Sequence, residues 1–61
     1  MYYVAKIFDN NEMSDIQCEC DSKDKAFQTA FMLNDYLYIT KNYRDKTYFV
    51  FNSKCQLQEL K

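Results

Sequence analysis

Apolar and polar positions along the chain fall into a few periodic segments separated by short polar clusters. Tyr2 to Phe8 is β-prone and ends at Asp9-Asn10-Asn11-Glu12, a run of turn formers in which Asn tolerates the left-handed conformation. Ser14 to Asp21 alternates, with Ile16, Cys18 and Cys20 on one side and Gln17, Glu19 and Asp21 on the other. Such alternation marks a strand with one buried face, so the first two segments read as a hairpin.

The period then changes. Ser22 is a suitable helix N-cap, Asp24 complements the helix dipole, and Ala26, Phe27, Ala30, Phe31, Leu33 and Leu37 recur as a helical stripe. Two continuations fit Tyr36 to Thr40: a strand entered through a turn at Asn34-Asp35, or more helix. The stripe's extension to Leu37 favours the helix. Lys41 to Lys46 is a polar connection, Thr47 to Asn52 is a strong strand, and Cys55 to Leu60 reads as a short returning edge strand. The expected fold is α+β, a single domain over 1–61. It has a small antiparallel three- to four-stranded sheet with one helix packed on one face (ββαβ, or ββαββ if the last segment pairs).

Composition narrows the chemistry. A chain of 61 residues buries about 60% of its unfolded surface, so its core is small. Glycine, proline and histidine are all absent. That excludes glycine-built phosphate loops and removes the commonest general base and metal ligand. Three cysteines, an odd number without paired spacing, predict free thiols in a reducing cytoplasm. No apolar stretch approaches the length of a signal peptide or the roughly 20 residues of a membrane span. Acidic and basic residues are interspersed at a net charge of −1, which makes nucleic acid an unfavourable partner. Abundant Lys, Asn, Tyr and Phe, all with A/T-rich codons, suggest a gene from a low-GC bacterium or its phage.

Candidate chemical motifs carry little. Cys18-Glu19-Cys20 places two sulfurs on one side of a strand, but a closed zinc site needs four ligands and only Cys55 remains to join them. Core packing beside Ile16 is the expected role. The acidic stretch Asp9 to Asp15 lacks the central glycine of a calcium loop, and Cys20 stands where a bidentate Glu is required. Serine and cysteine nucleophiles have no histidine to activate them. The expectation is a non-enzyme without catalytic residues, cofactor or metal.

The aromatic residues carry the positive hypothesis. If the helix covers Tyr3, Ala5, Ile7, Ile16, Cys18, Cys20, Phe49 and Phe51, the open sheet face carries Tyr2, Val4, Lys6, Phe8, Gln17, Glu19, Tyr48, Val50 and Asn52. A single uncovered face should be mainly polar, and an apolar one marks an interface. Tyr2, Val4, Phe8, Tyr48 and Val50 are therefore the expected partner-binding residues. The inverse assignment of faces would shift the candidates to Phe49 and Phe51. Lys23, Gln28, Met32 and Asp35 should face water on the outer side of the helix, with Phe31 and Tyr38 at its boundary. The functional expectation is a small protein-interaction module, acting as inhibitor, adaptor or regulator of a host protein. A homodimer with sheets face to face, or base stacking on a single-stranded nucleic acid, would use the same patch.

Overall fold

The computed structural model of the chain describes residues 1–8 and 12–59; positions 9–11 of the expected turn Asp9-Asn10-Asn11-Glu12 and the last residues, 60 and 61, lie outside them. Its elements are β1 (Tyr2–Ile7), β2 (Met13–Cys20), α1 (Lys23–Lys41), β3 (Phe49–Phe51) and β4 (Leu57–Gln58). Every pairing is antiparallel and the strand order is β2-β1-β3-β4. The fold is the expected α+β arrangement in its ββαββ form.

Helix α1 begins at Ser22, whose extended backbone and side-chain oxygen cap the first turn by accepting from the Lys25 N–H at 3.2 Å. It runs through Tyr36–Thr40, so no strand forms there and Asn34-Asp35 is not a turn. It stops at Asn42, which takes the left-handed conformation at φ 57° and donates its N–H to the Tyr38 carbonyl. Asparagine does here what glycine usually does at a helix end.

Asn34 ties the helix to the third strand. Its Oδ1 accepts from the backbone N–H groups of Thr47 and Tyr48 at 3.0 and 2.9 Å, and its Nδ2 donates to the Tyr48 carbonyl at 3.0 Å. Thr47 and Tyr48 were expected to open that strand. They bond to the helix instead, and β3 shortens to Phe49–Phe51.

Under the helix, Val4, Ala26, Ala30 and Val50 form the buried core, with Tyr2, Cys18, Cys20, Phe27, Leu33 and Tyr48 packed around it. Small Ala26 and Ala30 bring the helix backbone close to the sheet, and the Val4↔Val50 pair fits beneath them. The pairings Tyr2↔Cys20 and Val4↔Cys18 put these residues on one face with the cysteines. The expected face assignment is therefore correct for Cys18 and Cys20 and inverted for β1 and β3. Bulk decides it, because Phe49 and Phe51 would hold the helix away.

Two irregularities in the β1–β2 ladder complete the correction. Val4 pairs with Cys18 but Ala5 pairs with Ile16, leaving Gln17 as an extra residue. A second lies between Ile16 and Met13, where Ser14 and Asp15 span the interval covered by Lys6 alone. Such bulges bend the strand and shift its alternation. Ile16 thereby joins Ala5 on the face away from the helix, half exposed. That face also carries Tyr3, Ile7, Phe49 and Phe51, and at its centre Ala5 and Phe51 are fully buried.

In the turn between β3 and β4, Asn52 accepts from the N–H groups of Lys54 and Gln56, both at 2.9 Å, and Cys55 is left-handed at φ 61°. That conformation costs an ordinary L-residue about 1–2 kcal/mol. Cys55 is exposed and free. Cys55→Asn should raise stability by about 0.5–1 kcal/mol in urea unfolding, since Asn tolerates this region. Asn34→Ala should lower it by about 2–4 kcal/mol, because two partly buried N–H groups lose their acceptor. Asn34→Asp, which keeps the acceptor, should cost less.

Candidate protein-contact surface

Of the residues expected to bind a partner, the structure places four under the helix. Val4 and Val50 are fully buried, and Tyr2 and Tyr48 are half-buried against the core. None of the four lies on an uncovered sheet face. Phe8 alone is well exposed, just beyond β1, where its N–H donates to the Glu12 carbonyl at 2.9 Å.

Exposed apolar surface lies elsewhere. Helix α1 packs on β1, β2 and β3, while β4 stands at the sheet's edge. An open groove of about 420 Å³ separates the helix from this edge. Phe27 and Phe31 line its helical side, Tyr48 and Val50 its floor, and Gln58 its outer side, with Lys46 and Glu59 adding one charge of each sign. Asn34 also lines the groove, and its side chain holds Thr47 and Tyr48.

The aromatic lining continues out of the groove along the C-terminal half of α1. Phe31 is 72% exposed, Met32 69%, Tyr36 61%, Tyr38 53% and Ile39 73%. By helical geometry Phe31 and Tyr38 flank the groove, while Met32 and Ile39 point away from the sheet. Tyr36 flanks the opposite side. A surface helix ordinarily shows a polar outer face. This one has large apolar or aromatic side chains on every solvent side from Phe31 to Ile39, interrupted by Asp35.

Of these five, sequence patterning singled out Met32 as exposed and Phe31 and Tyr38 as boundary positions; it missed Tyr36 and Ile39. A signal was present. Between Ala30 and Ile39 the only polar residues are Asn34 and Asp35, more apolar positions than one buried stripe can use.

Cys18 and Cys20 lie beside the core, partly buried, with their sulfurs 3.9 Å apart. Burial, and then the neighbouring Cys20 thiol, push the Cys18 thiol above its ordinary range. Among the described residues, no three His, Cys, Asp or Glu side chains gather in a way that could hold a metal ion.

The placement of Tyr48 and Ile39 is directly testable. Tyr48→Glu buries a charge beneath α1 and should cost about 2–4 kcal/mol in chemical unfolding, whereas Ile39→Glu should stay within about 0.5 kcal/mol of the parent. Equal effects would contradict the arrangement of faces. No protein-family model matches the sequence, and no curated protein or solved structure is significantly similar to it, so the functional reading rests on this surface alone.

Proposed function

We propose that the protein is a small non-enzymatic interaction module, an inhibitor, adaptor or regulator. Its partner is a protein gripped by the C-terminal half of α1 and the adjoining groove. One observation carries this reading: Phe31, Met32, Tyr36, Tyr38 and Ile39 are each more than half exposed on consecutive turns of one helix. Exposed apolar patches of this kind are rare on small proteins and mark contact surfaces. Tyrosine is a favoured anchor at such sites because it joins apolar area to a polar tip. The groove lies beside Phe31 and offers depth into which a partner's side chain can insert.

Three unpaired cysteines support a cytoplasmic setting, and an amino-acid composition rich in residues with A/T-rich codons supports an accessory role in a low-GC bacterium or its phage. The partner-binding residues become Phe31, Met32, Tyr36, Tyr38 and Ile39, with Tyr48 in the groove, in place of the set expected from strand alternation.

A photoreactive amino acid placed at position 31 or 39, and at Lys54 as a control on the exposed β3–β4 turn, tests the reading in cells. Discrete adducts from positions 31 and 39, absent from 54 and persisting at high salt, are expected. Equal labelling at all three positions would refute it. A complex lost steeply as salt rises would instead indicate phosphate contacts and a nucleic-acid partner.

A further inference from the structure

Cys18 and Cys20 stand two residues apart on β2, on the side facing the helix, with Sγ atoms separated by 3.9 Å. The Thr29 hydroxyl donates to the Lys25 carbonyl at 2.8 Å, which commits its only hydrogen. The 3.9 Å contact between Cys20 Sγ and Thr29 Oγ1 therefore has the thiol as donor, and the Cys18 S–H is left to point at Cys20 Sγ. One proton thus lies between the two sulfurs.

We propose that Cys18 and Cys20 form a two-sulfur clamp for a thiophilic divalent cation of the cadmium class. Metal–thiolate bonds of about 2.3 Å for zinc, and somewhat more for larger ions, hold two sulfurs about 3.8–4.1 Å apart on a tetrahedral centre. The observed separation already meets that requirement. Soft sulfur ligands select soft ions. Charge selects valence as well: two thiols release two protons, and two thiolates with one divalent ion leave a neutral unit. Neutrality suits a site whose cross-strand neighbours are Tyr2 and Val4. A closed zinc site would need four protein ligands. Here both cysteines keep some exposure on an edge strand, so water completes the coordination. Cys55, exposed in the turn leading to the opposite edge strand, is a built-in control.

Reduced protein is titrated with cadmium ion while the sulfur-to-metal ultraviolet band, proton release and native mass are followed. One cadmium per chain with loss of two protons is expected, unchanged in Cys55→Ser. Cys18→Ser and Cys20→Ser should each weaken binding at least about tenfold, since even outer-shell partners are worth that much. Circular dichroism checks that the variants fold. Independently of any variant, cadmium should shield Cys18 and Cys20 of the parent protein from alkylation and leave Cys55 reactive. Equal shielding of all three thiols, cadmium bridging two chains, or full affinity in folded Cys20→Ser would overturn the proposal.

Discussion

The arrangement of helix and sheet depends on one side chain in the middle of α1. Asn34 gives its oxygen to two consecutive backbone N–H groups and its amide to the Tyr48 carbonyl, so it meets the incoming chain much as a neighbouring strand would. The connection after the helix has no regular structure of its own, and β3 is only three residues long. A strand that short cannot fix its register through ladder bonds alone. Anchored at Thr47 and Tyr48, however, it delivers Val50 beneath Ala30 and Phe51 to the far side of the sheet. The core and the groove both result from that placement.

A chain without glycine must find other ways to turn, and asparagine supplies most of them here. Asn42 takes the left-handed position at the helix end, and Asn52 folds the β3–β4 turn around its own carboxamide. Only Cys55 enters the left-handed region without that chemistry, among the described residues. The same residue type that stitches helix to strand also closes the turns. The abundance of Asn is thus structural as well as compositional.

Much of the fold was legible because it is local. Ser22, Asp24 and the Ala26-to-Leu37 stripe specify a helix through neighbouring positions, and the break before Ser14 specifies a hairpin. The faces were not legible. Both sides of β1 are apolar, as are both sides of β3, so alternation says that the sides differ without saying which is covered. That choice depends on how closely Ala26 and Ala30 let the helix approach, and on the extra residue Gln17, which moves Ile16 across the sheet. Neither is visible in a strand's own pattern. The same ambiguity put Tyr2, Val4, Tyr48 and Val50 on the open face, whereas they lie under the helix. The exposed helix surface was recoverable in principle, because its second half holds more apolar residues than a small sheet can cover.

The bulges in β2 have a meaning beyond geometry. An eight-residue edge strand with straight, evenly spaced hydrogen-bonding groups is a template onto which another chain can add, and a chain this rich in aromatics would be prone to fibrous growth. Two kinks along that edge, with Asp15 and Glu19 upon it, spoil the template, and the other edge, β4, offers only two residues. Among the described residues, both edges of the sheet thus disfavour backbone-to-backbone addition. Apolar side chains facing solvent on α1 therefore coexist with sheet edges that discourage strand addition.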